Sequence, residues 1–220
     1  MQISPVNRPK SAAKRIYDRL SPIYDVLAGS SEAPLTRLGV EILAVSPGER
    51  ILEIGSGTGK TLVLLGDQVG PSGSVHGIDL SRGMLQQAQT RLTKAEMPGR
   101  YHLVEGDGAR LPYADDRFCG AFLSFTLELF DTPEISVVLD ECRRVLKPGG
   151  RLGLVALFRD NHPGAIVRIY EWLHLKLPAV VDCRPINAGS MLQESGFRLE
   201  NRLVKTMWGL PVEILVARKA

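Results

Sequence analysis

Short apolar runs alternate with longer helical patterns along this chain, and this alternation restricts the possible folds more than any other feature. The runs typical of strands lie at residues 50–54, 74–78, 101–105, 118–124 and 151–158. The segments with helical periodicity lie at 34–45, 60–69, 81–95 and 133–146. Strands that are connected by helical crossovers pair in parallel and are covered on both faces. The first 158 residues therefore predict a doubly wound α/β sheet.

After residue 158 the pattern changes. The segment "GAIVRIYEWLHLKLP" predicts an apolar helix, and a short helix is expected near 187–195. Two further strands are predicted near 197–205 and 211–218. A chain of 220 residues with 44% apolar and 23% charged residues is typical of a single globular domain, so we expect one domain over 1–220.

The charge and the cysteines exclude several classes of function. A net charge of +3 gives no support for a nucleic-acid partner, and none is predicted. Apolar runs stay shorter than the roughly 18 residues needed to span a bilayer, and the first residues are polar, so we expect a cytoplasmic protein. Cys119, Cys142 and Cys183 have no CxxC spacing, so neither a disulfide framework nor a thiolate metal site is predicted.

The stretch "LEIGSGTGKT", residues 52–61, lies where the first strand ends and resembles two phosphate-binding motifs. As a P-loop it is one residue short, because only three residues separate Gly55 from Gly59, and Glu53 would repel a polyphosphate. As a dinucleotide fingerprint it lacks the third glycine, whose position is Lys60. A nicotinamide-dependent oxidoreductase therefore remains only as an alternative.

Carboxylates at successive strand ends favour a different ligand. Asp79 follows the loop glycines by about 20 residues, the separation at which an acid meets ribose hydroxyls in such folds, and Asp107 ends the next strand. A positively charged nucleoside would use these acids and would need glycines for close backbone approach. S-adenosyl-L-methionine is such a ligand, and S-adenosyl-L-homocysteine would be its product.

Four blocks of sequence resemble the class I S-adenosylmethionine-dependent methyltransferases, in order and over nearly the whole chain. They are "ILEIGSGTG", "VHGIDLSRGML", "VEGDGARLPYADDRFCGAFLSF" and "ECRRVLKPGGRLGLV". With "RIYDRLSPIYDVL" before them, the chain is similar to the branch of the ubiquinone and menaquinone C-methyltransferases. The resemblance implies a Rossmann-like sheet of seven strands with an antiparallel last strand. It also implies an N-terminal helical cap at 1–30 and a helical lid insert at 159–190.

The resemblance also implies cofactor contacts. Those expected at the methionine end are Glu53, Gly55, Ser56, Gly57 and Gly59. Those expected around ribose and adenine are Asp79, Leu80, Met84, Asp107, Gly108 and Ala109. Those expected near the reactive methyl group are Ser124, Phe125, Thr126 and Tyr24. For Tyr24, ordinary helix packing stays open as the alternative.

Methyl transfer from a sulfonium requires mainly that donor and acceptor are aligned and that water is excluded. A general base is optional. The candidate catalytic residues are Glu128, Tyr24 and His174, with His162, Tyr170 and Arg184 as further candidates for proton or substrate handling. Glu128 is preferred because it follows the fourth strand directly towards the expected cleft.

The acceptor is less well defined. The quinone enzymes carry an arginine and an asparagine where "TLELF" has Glu128 and Leu129, so the charge at this place is reversed and a cationic or neutral acceptor is as plausible as a quinone. A small apolar or lipid-like acceptor is expected. The basic N-terminal helix is either a peripheral membrane contact or a solvated face. For the insert at 163–186 three roles stay open: it lines a pocket, packs on the sheet or forms a homodimer contact. A catalytically silent cofactor-binding scaffold remains the non-enzymatic alternative.

Overall fold

The computed structural model describes residues 9–27, 29–97, 100–160, 163–176 and 183–220, without the side chains of residues 26, 27, 29 and 30. Within these residues one sheet of seven strands has the order β3-β2-β1-β4-β5-β7-β6. The strands are β1 (Arg50–Ile54), β2 (Ser74–Asp79), β3 (Tyr101–Glu105), β4 (Phe118–Ser124), β5 (Leu146–Leu157), β6 (Phe197–Met207) and β7 (Leu210–Lys219). Strands β1 to β5 pair in parallel, and β7 is antiparallel to both β5 and β6. The predicted sheet is confirmed.

Helices cover both faces of this sheet. They are α1 (Lys10–Leu20), α2 (Tyr24–Leu27), α3 (Gly29–Leu43), α4 (Lys60–Val69), α5 (Arg82–Lys94), α6 (Thr132–Val145), α7 (Ala165–Lys176) and α8 (Ala188–Glu194). A 3-10 turn, Leu127–Leu129, follows β4. Among the helices in the described part of the chain, none has the length and apolar character needed to cross a bilayer.

Two predicted boundaries were wrong. Helix α3 begins at Gly29, five residues before the predicted start, and it continues through Pro34 although this residue lacks a backbone donor. Strand β5 begins at Leu146 rather than at 151. "KPGG" does end helix α6, but Leu146 already pairs with Phe118 of β4 before the register shifts at a bulge.

The strands are continuous apolar runs because each face of the sheet packs in a separate hydrophobic cluster. On one face Leu52 and Ile54 of β1 pack in a cluster with Ile135 of α6. On the other face Ile51 packs in a cluster with Leu62 of α4. Burial on both faces is the usual condition of parallel strands in α/β proteins.

The strand order indicates the edge of the sheet at which a ligand would bind. Strand β1 lies between β2 and β4, so the chain crosses to opposite sides after β1 and after β3. Ligands in such sheets bind beyond the carboxyl ends of the strands at this reversal. The loop after β1, the end of β2 and the end of β4 therefore meet at one edge. The cap at 1–30 and the insert at 159–190 stay predictions as structural subdivisions, and residues 1–8, 161–162 and 177–182 lie outside the described part.

Candidate active site

A cavity of about 960 Å³ opens at the carboxyl edge of the sheet. Its walls come from the loop after β1, the ends of β2 and β4, the loop after β3, and helices α1, α2 and α3. Small-molecule pockets usually measure roughly 300 to 1,000 Å³. The volume is therefore large enough for a nucleoside cofactor together with an acceptor.

The glycine loop after β1 needs its glycines for different reasons. Gly55, Gly57 and Gly59 have φ angles of 71°, 50° and 79°, in the left-handed region that favours glycine. A Cβ on Gly55 would lie 2.4 Å from Thr126 Cγ2, and one on Gly59 would lie 2.9 Å from Ala88 Cβ. A Cβ on Gly57 would meet nothing within 4 Å. The outer glycines thus let the loop pack closely, whereas Gly57 leaves open space for a ligand.

In the dinucleotide fingerprint, close packing of the loop on a helix needs a third glycine, and its position in this chain is Lys60. In the structure Gly59 makes this contact, against Ala88 of α5, so the loop is complete without a glycine at Lys60.

Glu53 is an unusual buried acid at the end of β1. It is 2% exposed, and burial raises its pKa well above the ordinary value, with a further rise from the charge of Asp79. A hydrogen bond from Thr61 opposes this rise. Among the described residues, Glu53 Oε2 and the nearby Ser56 Oγ have no hydrogen-bond partner. Both residues line the cavity, so a cationic or hydrogen-bonding ligand would relieve their desolvation.

Asp79 ends β2 and holds the glycine loop. Its Oδ2 accepts from Gly57 N at 2.8 Å and its Oδ1 accepts from Ser81 N at 2.8 Å. Burial nevertheless raises the pKa of this carboxyl, although both backbone bonds act in the opposite direction. Two acids with raised pKa values in one cavity favour a positively charged ligand.

Asp107 lines the cavity and contacts helix α1. Its Oδ1 accepts from Ala109 N at 2.9 Å, and its Oδ2 accepts from Lys10 Nζ at 2.5 Å. Lys10 also pairs with Glu134 at 2.8 Å and lies 5.5 Å from the ring centroid of Phe130. Helix α1 is therefore attached to the acid that the resemblance assigns to adenine.

Asp25 attaches helix α2 to the glycine loop and to helices α4 and α5. Its Oδ1 accepts from Thr58 Oγ1 at 2.7 Å and lies 3.2 Å from Lys60 Nζ, and Arg91 pairs with its Oδ2. Burial raises the pKa of Asp25, but the bonds from Thr58 and Lys60 and the charge of Arg91 outweigh this and lower it. Lys60 and Arg91 therefore both pair with the Asp25 carboxylate, which offsets one of their two positive charges.

Most of the predicted site residues line the cavity. They are Tyr24, Glu53, Gly55, Ser56, Gly57, Asp79, Leu80, Met84, Asp107, Gly108, Ser124, Phe125 and Thr126. Gly59 and Ala109 lie beside it and support the loops through packing and through the bond from Ala109 N.

Glu128 and His174 are not brought to this cavity, and the expectation that Glu128 enters the cleft is wrong for this structure. Glu128 is fully buried, and its Oε1 accepts from Leu157 N at 3.2 Å at the end of β5. The 3-10 turn after β4 places it in the interior, where Arg184 Nε donates to its backbone oxygen at 3.3 Å. His174 is buried on α7. His162 lies outside the described residues.

Several cavity residues were missed by sequence reasoning. Lys10 and Asp25 belong to the cap, and Thr36 and Arg37 belong to α3. Thr36 Oγ1 lies 2.7 Å from Ser124 Oγ, which joins α3 to the end of β4. Only Asp25 had a signal, since it follows Tyr24 in the quoted N-terminal segment. The residues of α3 carry no motif, because their position depends on tertiary packing.

Comparisons with known proteins agree with this geometry. Residues 51–150 match the family described as "Methyltransferase domain". A 2-phytyl-1,4-naphtoquinone methyltransferase of Synechococcus elongatus is 33% identical over 168 residues, which cover 74% of this chain and 70% of that protein. A demethylmenaquinone methyltransferase of Listeria monocytogenes is 29% identical over 154 residues, which cover 68% of this chain and 64% of that protein.

Solved structures show the same fold at low sequence identity. The 1,6-didemethyltoxoflavin-N1-methyltransferase of Burkholderia thailandensis, solved with S-adenosylhomocysteine, has a TM-score of 0.71 at 19% identity and covers 99% of this chain and 95% of its own. The [4+2]-cyclase SpnF has a TM-score of 0.78 at 19% identity and covers 100% and 99% of the two chains.

The fold and the cavity define an S-adenosylmethionine-dependent methyltransferase of class I, and the cofactor is S-adenosyl-L-methionine. The chain belongs to the methyltransferase family that includes the quinone methyltransferases named above. The oxidoreductase alternative has no support in these comparisons. Among the described residues, no group of three or more His, Cys, Asp or Glu side chains is placed to hold a metal ion.

Proposed function

We propose that this enzyme methylates a lipid-like aromatic acceptor of the quinone or quinol class, bound between the end of β4 and helix α3. The support is twofold. The relatives named above are methyltransferases of 2-phytyl-1,4-naphtoquinone and of demethylmenaquinone. In addition, Pro34, Val63, Leu64, Phe125 and Leu129 give the cavity apolar walls beside the strand-end acids.

The residues at the edge of the sheet fit the cofactor. Glu53 Oε2 and Ser56 Oγ would bind its methionine end, since both are buried polar atoms that lack a partner among the described residues. Asp79 would accept from the ribose hydroxyls, with Leu80 and Met84 against the base. Asp107 would accept from the adenine amino group. The bound cofactor supplies an electrophilic methyl group on a sulfonium.

The chain's own part in the reaction is alignment and exclusion of water. Tyr24 and its neighbour Asp25 lie over the loop after β1, and the bond from Thr58 Oγ1 to Asp25 fixes them there. Ser124 and Thr126 limit the space at the end of β4, where Thr126 Oγ1 donates to Ser124 O at 2.9 Å. Holding two reactants in a near-attack arrangement contributes several kcal/mol to a displacement of this kind.

The position of Glu128 bears on the charge expected of the acceptor. Glu128 is buried and bonded to the backbone of β5, so its charge is not offered to the cavity. Arg37 does line the cavity. A guanidinium beside a phenolic oxygen favours the phenolate. We therefore infer that Arg37 contacts the acceptor oxygen and that a quinol fits this cavity better than a cation.

The observation that carries the proposal is the meeting of the glycine loop, Asp79, Asp107 and the end of β4 in one cavity that also has apolar walls. The test is turnover with menadiol, the reduced form of 2-methyl-1,4-naphthoquinone, followed by mass spectrometry for the addition of one further methyl group. Titration calorimetry with S-adenosylmethionine and with NAD accompanies it. Methylated product with selective binding of S-adenosylmethionine is expected.

Arg37→Ala separates acceptor binding from cofactor binding. The KM for menadiol should rise about tenfold or more, since a hydrogen bond to a charged group contributes about 1.5 to 3 kcal/mol and each 1.4 kcal/mol is a factor of about ten. The affinity for S-adenosylmethionine should stay unchanged. Arg168→Ala, an exposed arginine on α7, is the matched control. Cofactor binding without methylation of any quinol would refute the proposed acceptor class. The cytoplasmic location and a homodimer stay predictions.

A further inference from the structure

Helix α7 and the turn between β6 and β7 present adjoining apolar side chains to solvent. We call this group the α7 surface, and its members, with their exposed fractions, are Ile166 (54%), Ile169 (61%), Trp172 (58%), Leu175 (49%) and Trp208 (70%). The turn adjoins the start of the helix, because a Cβ on Gly209 would lie 3.2 Å from Ile166 Cδ1. Contiguous exposed apolar surface usually marks an interaction site.

The α7 surface is not needed for the core. The opposite face of α7 already packs against the sheet, where Val167 and Tyr170 belong to the same apolar cluster as Phe125 and Met207. Burial of His174 on that face continues this packing. Helix α7 therefore has one face in the protein and a second apolar face in solvent.

Cations border the α7 surface. Arg168 and Lys176 are exposed and lie four residues on either side of Trp172, so the three share one side of the helix. Glu171 is the single acid among residues 165–176, and it is mostly buried in an ion pair with Arg159 at 2.5 Å. The exposed side of α7 therefore carries apolar and basic groups without an uncompensated carboxylate.

The neighbouring edge strand adds a further cation. Lys205 of β6 is exposed and shares one face of the strand with Leu203 and Met207, two residues to either side, which both pack in the cluster beneath α7. It therefore lies on the α7 side of the sheet. By contrast, Lys10 and Lys14 of the N-terminal helix are paired with Asp107 and Glu105, so that helix turns much of its charge towards the protein.

We propose that the α7 surface binds the headgroup region of anionic lipid membranes. Tryptophan and aliphatic side chains beside Lys or Arg are the combination that lies in a membrane interface. A second copy of the chain fits less well, because pairing of two identical surfaces would bring Arg168 and Lys176 close to the same cations of the partner. The inference depends on the surface alone and needs neither bound cofactor nor acceptor.

The chain carries its own probe for this interaction. It has two tryptophans, and both belong to the α7 surface. Intrinsic fluorescence of the full chain should therefore shift to shorter wavelength with vesicles of equal parts phosphatidylglycerol and phosphatidylcholine. Brominated acyl chains should quench it. Vesicles of phosphatidylcholine alone should give weak binding, since each basic residue near an anionic surface contributes about a fivefold increase in binding.

Variants locate the surface. Ile169→Glu should lower the partition coefficient by about fivefold or more, and Arg168→Ala and Lys176→Ala should each lower it by about fivefold. Val137→Glu is the matched control, since Val137 is an exposed apolar residue of α6, and it should bind as the wild type does. Circular dichroism of each variant confirms that the fold is kept.

Three outcomes would overturn the proposal: unchanged fluorescence with anionic vesicles, equal binding to neutral vesicles, or loss of binding in Val137→Glu to the same extent as in Ile169→Glu. A blue shift that depends on protein concentration without lipid, with a doubled mass in sedimentation, would show instead that the α7 surface pairs two copies. Failure of methyl transfer with intact vesicle binding would affect only the proposed function.

Discussion

Acidification should destabilise this fold through His76, a residue of β2 three positions before Asp79. His76 is 6% exposed, its ring stacks on His102 at 4.4 Å, and it meets the Phe118 ring edge-on at 5.1 Å. Its Nδ1 is buried without a hydrogen-bond partner among the described residues. Burial lowers the pKa of His76 from 6.5 to about 4, and the nearby His102, Arg50 and Arg117 add to this. The ring is therefore neutral in the native protein at pH 7.

The sign of the effect follows from proton uptake. Between pH 6.5 and 4 the unfolded chain binds a proton at His76 that the folded chain does not, so stability falls as the pH falls. The stability that depends on a neutral His76 is fully present above pH 6.5 and is lost progressively as the pH approaches 4. A difference of about 2.5 in pKa corresponds to about 3 kcal/mol in total, of which about 2 kcal/mol would be lost between pH 7 and pH 5.

Urea unfolding at pH 7, 6 and 5 measures this loss. Other groups also titrate in this range, so the comparison is with His76→Gln, which cannot gain a proton but keeps a polar side chain. The free energy of unfolding of the wild type should fall by about 2 kcal/mol more than that of the variant between pH 7 and 5. Parallel pH profiles for the two proteins would refute the reasoning, because they would mean that the folded protein accepts the charge on His76 without cost.

Other perturbations address the site. Asp79→Ala should weaken cofactor binding about 100-fold in calorimetry. It should also lower the free energy of unfolding by about 2 to 4 kcal/mol, because two backbone N–H groups lose their acceptor. Unchanged affinity would remove Asp79 from the site. Gly57→Ala should destabilise the protein by about 1 to 2 kcal/mol through positive-φ strain alone. Gly55→Ala should destabilise it clearly more, since only this substitution also collides with Thr126. Equal unfolding midpoints for the two variants would contradict this. Glu128→Gln keeps an acceptor oxygen and should retain wild-type turnover; a loss of turnover with unchanged stability would return Glu128 to the catalytic residues.

Much of the fold and of the cofactor edge could be predicted from local patterns. The positions of β1, β2, β3 and β4 agree with the predicted strands to within one residue, because buried parallel strands are continuous apolar runs between turn residues. The glycine loop, Asp79 and Asp107 follow the ends of those strands. Topology then brings them to one edge without any information about side-chain contacts.

The position of Glu128 could not be predicted in this way. Its place after β4 was correctly inferred, but a 3-10 turn of three residues decides whether the side chain faces the cavity or the interior. The hydrogen bond from Leu157 N joins positions 29 residues apart, so it depends on how β5 lies beside the turn.

The amino-acid sequence by itself determined the order of strands and helices, the left-handed glycine loop and the acids at the strand ends, because these depend on residue periodicity and on local backbone preference. Tertiary structure alone decided what closes the cavity and what stays exposed. Lys10 donates to Asp107 across 97 positions of the chain. Helix α7 has two apolar faces, and its packing on the sheet decides which of them is buried. Such contacts between distant segments depend on the packing of whole elements, and no local pattern records them.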